Sequence, residues 1–304
     1  MKPNNKLKQY TWIVNTLMHK GALSLKEISA KWQLDMIDDG NELSRYQMSR
    51  LRAAIVDNLG IRIEYNAREH CYYIDNPDVM SNNSMAHWMI STMSVRGLLA
   101  DSAAISDHLM LEEIPAGEHL LPTIVQGIKT RTRLLMTYCK FEAEAYEKLV
   151  CPYGLRLFHQ RWYMLALNDD DEIRIYALDR VKKLNRTKKK FKMPRDFKTK
   201  DYFSEYFGVL TNSQVPMAHV VIRAHKWVPN YLRTLPLHPS QREGATTGDY
   251  TEFSYDLRPT NEFLAELMKQ GPGIEIVKPR YLAEQMYKNL SESLEQYKRN
   301  LKLR

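Results

Sequence analysis

The chain has 304 residues, 44% of them apolar and 26% charged, with a formal net charge of +8. That length supports two or three domains each able to bury a core, in the composition of an ordinary soluble protein. No apolar run approaches the roughly 18 residues of a membrane span. The N-terminus leads into an amphipathic helix, so no signal peptide is read there. Three cysteines (Cys71, Cys139, Cys151) without CxxC spacing fit a reducing cytoplasm and argue against a zinc knuckle.

The charge is unevenly spread. Residues 1–78 carry 11 basic and 10 acidic side chains, 79–127 carry 1 and 5, 128–200 carry 19 and 9, and 201–304 carry 13 and 12. The excess in the third segment is an electrostatic footprint for an anion, nucleic acid or nucleotide; a solvated basic face is the plainer alternative.

Residues 5–19 read as a helix, with Tyr10, Ile13, Val14 and Leu17 at helical spacing and Gly21 past its end. Two further helices start with capping-box spacing, Ser24-Leu25-Lys26-Glu27 and Ser44-Arg45-Tyr46-Gln47, and Gly60 stops the third. Ile61–Tyr65 and Cys71–Ile74 flank the turn 66–69 as a hairpin. Three helices and a hairpin make a winged helix-turn-helix, a fold that binds duplex DNA. In the third helix Met48, Leu51 and Ile55 point together, so Tyr46, Arg50 and Ala53 point away, flanked by Gln47, Ser49 and Ala54. Arg50 is the base-edge candidate, since a guanidinium forks onto guanine. Arg45 stands at the helix start, where phosphates gather. Arg52 leans to the apolar side, where a structural ion pair and a DNA contact both remain open. Arg68 at the hairpin tip can reach a groove or the backbone. The acid-rich connection 34–43 is longer than the usual helix-turn-helix turn. It keeps open a protein-docking role for this domain.

Residues 84–100 read as a mostly apolar helix in a connector over 79–117. A helix at 118–130 precedes strands at 133–138, 146–158, 161–168 and 172–178, a pattern that suggests a small SH3-like or Sm-like barrel. Tyr163, Leu165 and Leu167 alternate with Trp162, Met164 and Ala166. Aromatics beside guanidiniums suit a flat or phosphate-bearing ligand; barrel core is the other reading of the same side chains. Lys182–Lys192 holds seven positive charges and no acid. Charge that dense needs solvation or a polyanion, which makes it a second nucleic-acid candidate.

From Met217 the order is strand 217–225, helix 226–235, strands 237–243 and 249–258 with a turn over Gly244 to Gly248, helix 260–270 and strand 273–278. This is a ferredoxin-like β-α-β-β-α-β arrangement. A closing helix over 279–299, with Tyr281, Met286, Leu290, Leu294 and Tyr297, reads as a packing or dimer face. No Walker loop, GxGxxG, HExxH or GxSxG occurs, and the nine histidines have no metal-site spacing. His159 and Asp179 can form an acid–base pair, but no nucleophile stands out beside them. No enzyme activity, cofactor or metal is therefore expected.

Together these features resemble the WYL-domain transcriptional regulators of bacteria. The resemblance is carried by Pro152-Tyr153-Gly154-Leu155, Trp162-Tyr163-Met164, Arg174 to Arg180, Phe197, Tyr202-Phe203 and Phe207-Gly208-Val209. Met164 stands where the naming triplet has Leu, a swap that conserves volume. The resemblance covers about Leu7 to Tyr297. It implies an α+β multidomain chain: a winged helix-turn-helix at 1–78, a connector at 79–117, a Sm/SH3-like WYL barrel at 118–212, and a ferredoxin-like WCX extension at 213–304. It further implies a homodimeric regulator, read here as a repressor on an inverted-repeat operator, whose barrel senses a nucleotide or single-stranded nucleic acid. Phage-defence regulation is known for some relatives, and no residue here selects it. The matching motif would line the pocket with Tyr138, Tyr153, His159, Arg161, Trp162, Tyr163, Arg174, Tyr176 and Arg180. Strand alternation keeps these from all sharing one cavity, so Tyr153, His159, Arg174 and Tyr176 are the expected contacts. The rival reading is an accessory effector that binds single-stranded nucleic acid and regulates a partner enzyme.

Overall fold

The computed structural model describes residues 3–75 and 117–302. The chain divides into two compact units, 1–112 and 113–304. The helix expected over 84–100 lies outside the described residues, as does all of the 79–117 connector but its last residue. Both units combine helices with antiparallel strand ladders.

The first unit runs α1 (Pro3–Lys20), β1 (Leu23–Ser24), α2 (Leu25–Leu34), α3 (Arg45–Leu59), β2 (Ile63–Asn66) and β3 (Cys71–Ile74). Both capping boxes form. Ser24 Oγ accepts the Glu27 N–H at 3.3 Å while Glu27 Oε2 accepts the Ser24 N–H at 2.8 Å; Ser44 and Gln47 repeat this at 3.2 and 2.9 Å. Each box satisfies two amides that a helix start leaves open. Gly60 ends α3 at φ +67°, the left-handed conformation that glycine adopts without Cβ strain. Ile13, Val14, Leu17, Ile28, Trp32, Met48, Leu51 and Ile55 close one core over Ile63 and Tyr72 of the hairpin. The first hairpin strand starts at Ile63, two residues later than expected, and β1 adds to give the order β1-β3-β2. The long connection before α3 is anchored, with Ile37 and Leu43 buried and Leu43 N–H donating to Ser29 Oγ at 3.0 Å. Its acids serve α1: Asp38 accepts from Gln9 at 3.1 Å and Asp35 from Trp12 Nε1 at 2.8 Å.

The second unit opens with a 3-10 turn (Glu118–Leu120) and α4 (Leu121–Thr130). Then come β4 (Thr132–Cys139), β5 (Ala145–Phe158), β6 (Arg161–Leu167), β7 (Ile173–Ala177), a 3-10 turn (Leu178–Arg180), β8 (Val181–Lys190) and α5 (Thr199–Phe203). The five strands order as β7-β6-β5-β4-β8. Alternation along β6 divides two cores. Trp162, Met164 and Ala166 join Leu134, Met136, Tyr138, Val150 and Tyr176 under α4, while Leu165 joins Cys151, Tyr153, Phe191 and Phe203 on the opposite face. The basic run was not expected to be a strand. Val181 and Leu184 hold it against the inner core, and its cations fan out from an edge with one strand neighbour. Lysines on an edge strand also discourage unwanted strand addition.

The chain then forms β9 (Ala218–His225), α6 (Val228–Thr234), β10 (Arg242–Thr246), β11 (Tyr250–Leu257), α7 (Asn261–Met268), β12 (Ile274–Lys278) and α8 (Arg280–Leu301), with sheet order β10-β11-β9-β12. Val220, Ile222, Ala224, Phe253, Tyr255 and Leu257 face Val228, Leu232, Phe263, Leu264 and Leu267 of α6 and α7. The second strand of this segment, β10, corrects the expected 237–243. Residues 237–241 are held as a loop, where Gln241 bonds Leu232 O (2.7 Å), Leu237 N–H (3.0 Å) and the Tyr255 hydroxyl (3.1 Å). Gly244 lies inside β10, beside a register shift between Glu243 and Thr246, and the turn falls at 247–249. His219 and His225 lie on the sheet's open face, 2.7 Å from Asp256 and 3.9 Å from Glu275.

Candidate nucleic-acid and ligand interfaces

In the first unit α3 exposes Arg45, Tyr46 (70%), Ser49 and Arg50, while Met48, Leu51 and Ile55 are buried. The Arg50 guanidinium lies 5.8 Å from the Tyr46 ring centroid, a cation–π contact that holds both on one face. Among the described residues no carboxylate pairs with Arg45 or Arg50. Two of the expected contacts have internal work. Gln47 is committed to the capping box through Oε1. Arg52 Nε donates to Ile63 O at 2.7 Å and Nη2 to Glu64 at 3.2 Å, with its guanidinium over the Tyr72 ring. That arrangement fits the structural reading of Arg52, a strut between α3 and the hairpin. Arg68 is exposed in the hairpin turn, where Asn66 Oδ1 accepts its backbone N–H.

The expected ligand quartet does not assemble. Tyr176 is buried in the inner core, edge-on to Tyr138 at 5.2 Å, and burial pushes its hydroxyl pKa up to about 12. Tyr153 is buried on the opposite face of the sheet, against Phe191 and Phe197. Arg174 is exposed and pinned by Glu172 at 2.7 and 3.0 Å. The acids before it bind Lys148 in turn, Asp169 at 3.0 Å and Asp170 in short contact. His159 occupies a two-residue turn at φ +44°, followed by Gln160 at +61°. Both residues in the left-handed region make the tight turn that matches strand twist. Its ring packs on Phe158 and stands 3.6 Å from Glu266 of α7, at the junction with the C-terminal sheet. Trp162 is core.

A different subset comes together. Arg161 lies 3.6 Å from Asp179, and Arg180 stacks over Tyr138 (5.6 Å) and the exposed ring of Phe141 (4.6 Å). Asp179 Oδ1 and Arg180 Nε are buried with no hydrogen-bond partner among the described residues. Buried polar atoms normally find partners, so two orphans in consecutive residues mark an unusual place. Tyr163, the neighbour of Trp162 that faces outward, has its hydroxyl pKa raised by burial with Arg161, Asp179 and Arg180 within electrostatic reach.

Sequence reasoning passed over Arg156. It pairs across strands with Tyr163, and its guanidinium lies 4.3 Å from the Phe203 centroid. Burial lowers its pKa to about 10, and Nη1 has no hydrogen-bond partner among the described residues. The alternation of β5 carried the signal, since Arg156 is in phase with Phe158. The cations of β8 are the clearest charged surface: Lys182, Lys183, Arg186, Lys188 and Lys189 are exposed and form no ion pair with a described residue. Lys190 is instead tied to Thr130 O and Thr132 Oγ1. Among the described residues no group of His, Cys, Asp and Glu could hold a metal ion, and no helix is long and apolar enough to cross a membrane.

Residues 119–186, from α4 through most of the curled sheet, match the WYL domain family. Among solved structures the chain is similar to the proteasome accessory factor B/C (PafBC) of Arthrobacter aurescens, at 17% identity and a TM-score of 0.34 over 94% of this chain and 46% of that one. It therefore spans about half the length of that relative. It is also similar to a protein described as CRISPR Cas-related, at 14% identity and a TM-score of 0.40 over 98% of this chain and 86% of that one. No curated protein matches the sequence.

Proposed function

We propose, from the WYL domain formed by residues 119–186, that this chain is a DNA-binding transcriptional regulator whose WYL domain senses a nucleotide or nucleic-acid ligand. The observation that carries the DNA-binding reading is the exposed first half of α3 with Arg45, Tyr46, Ser49 and Arg50, where no acid occurs between Ser44 and Val56. The element order and the sheet β1-β3-β2 support a winged helix-turn-helix there. The order β8-β4-β5-β6-β7 supports a Sm-like barrel, and β12-β9-β11-β10 supports a ferredoxin-like WCX extension. The regulator acts as a homodimeric cytoplasmic repressor on an inverted repeat, two α3 helices entering successive major grooves. It carries no enzymatic activity. Its effector contacts Arg161, Tyr163 and Arg180 around the two orphaned polar atoms. Effector binding shifts the population of two dimer states with different operator affinity.

The test is binding to duplexes from upstream of its own gene against scrambled duplexes over a salt series. Discrimination that persists as salt rises supports the regulator. Equal, steeply salt-dependent binding to every duplex rejects it. A second reading, a single-strand-binding effector of a partner enzyme, is favoured by one observation, the unpaired cations of β8. High single-strand affinity without duplex preference selects it.

A further inference from the structure

The closing helix leaves an apolar seam uncovered. α8 rests on its own domain through Leu282 and Met286, with Asn289 against Met268 Sδ at 3.8 Å. About a quarter-turn around the helix, Tyr287, Leu290, Leu294, Tyr297 and Leu301 are 74, 49, 54, 65 and 60% exposed. Their spacing alternates three and four residues, the repeat of a two-helix seam, and it is separate from the face that packs on the domain. Ala283, which is partly buried against the domain core, ends the seam at its N-terminal side. Large apolar side chains in a continuous row on a surface helix mark a contact surface.

The seam is self-complementary. In an antiparallel pair centred near Glu292, Tyr287 meets Tyr297 and Leu290 meets Leu294 of a second copy. Charge selects this orientation. The seam's solvent edge carries Glu284, Ser291 and Lys298, so an antiparallel pair sets Glu284 of each copy beside Lys298 of the other. A parallel pair would bring that edge against Met286, Ser293 and Asn300, with no charge to match. Glu284 now pairs with Arg280 at 2.8 Å and Lys298 with Glu295 at 2.9 Å. Exposed pairs within one helix exchange partners at little cost.

We propose that α8 pairs antiparallel with α8 of a second copy of this chain through this seam. The inference rests on the dimeric reading above and adds its surface, orientation and register.

Sedimentation of the full chain tests it. The natural chain runs as a dimer at micromolar concentration, and Leu290→Glu with Leu294→Glu runs as a monomer with an unchanged far-ultraviolet spectrum. Glu284→Lys or Lys298→Glu alone weakens the dimer by about three- to tenfold, and the two together restore it. The charge swap keeps the test decisive even where two glutamates on the seam disturb the helix. A monomeric natural chain, a dimeric Leu290→Glu/Leu294→Glu variant, or charge changes that fail to compensate overturn the proposal. A monomer that still discriminates operator sequence removes the seam alone. A dimer without duplex preference leaves the seam and removes the regulator.

Discussion

Glu262 Oε2 accepts the backbone N–H of Val209 at 2.7 Å, and that of Leu210 at 2.8 Å, from the first turn of α7. The chain can reach this carboxylate because Gly208 turns at φ +75°, where a Cβ would collide with the Glu262 side chain. The Phe207-Gly208-Val209 motif is thus a clip that fixes the segment leaving the WYL domain onto the C-terminal sheet and helices. Gly208→Ala is expected to cost about 2–4 kcal/mol, combining left-handed backbone strain with displacement of two charge-assisted bonds. Glu262→Gln keeps one acceptor and should cost less. Urea unfolding of the three proteins orders them, and a neutral Gly208→Ala would defeat the clip.

Two arginines two residues apart on α3 should behave oppositely. Arg50 is exposed and stacks on Tyr46, whereas Arg52 holds Ile63 O and Glu64. Arg50→Ala should leave the unfolding midpoint unchanged and reduce operator discrimination by about 5- to 100-fold, the loss of one forked base contact. Arg52→Ala should lower stability by about 1–3 kcal/mol through an orphaned carbonyl and an ion pair lost from the hairpin. Calorimetry beside duplex titration separates them; the idea fails where Arg50→Ala is the destabilising change.

Local signals were legible in the sequence and long-range ones were not. The Ser24–Glu27 and Ser44–Gln47 boxes lie four residues deep in the chain's own grammar, and both helices start where those boxes put them. The division of Trp162 from Tyr163 followed from a period of two. Strand β8 escaped because six cations mask a pattern whose apolar anchors are Val181 and Leu184. The expected ligand quartet failed for a related reason. Periodicity says that Tyr153 and Tyr176 each face a sheet surface, but which surface depends on the registers of β5 with β6 and of β6 with β7, including the shift between Pro152 and Gly154. Glu172 captures Arg174 from two residues away, a neighbour the motif reading overlooked.

His238 gives the protein a pH dependence of stability. It is buried with Nδ1 2.8 Å from Ser240 Oγ, and burial, with Arg156 nearby, holds its pKa below the usual 6.5. A depressed histidine pKa means that the unfolded chain takes up a proton before the folded one. Stability should be level above about pH 6.5 and fall as pH drops below it. The paired carboxylates of Asp169, Glu172, Glu243 and Asp256, whose pKa values are lowered, add a separate loss only below the ordinary carboxylate range. Melting temperatures between pH 7.5 and 5 should therefore decline in the natural chain and flatten in His238→Gln. An identical slope in both proteins would show that some other group titrates.

The free cations of β8 decide between the two functional readings by their salt dependence. Each phosphate neutralised by a lysine or arginine adds about 0.9 to the log–log salt slope on duplex and about 0.7 on a single strand. Lys188→Glu with Lys189→Glu changes two exposed side chains that pair with no carboxylate among the described residues, so folding should be untouched. Where β8 grips single-stranded nucleic acid, the pair of changes should flatten the single-strand slope by about 1.4 and leave operator discrimination by α3 in place. Where β8 is only a solvated edge, single-strand binding stays as it was. The same variant should then associate more readily, because the lysines that keep a second strand from adding to that edge are gone. Titration at four salt concentrations with light scattering on the same samples reads both outcomes.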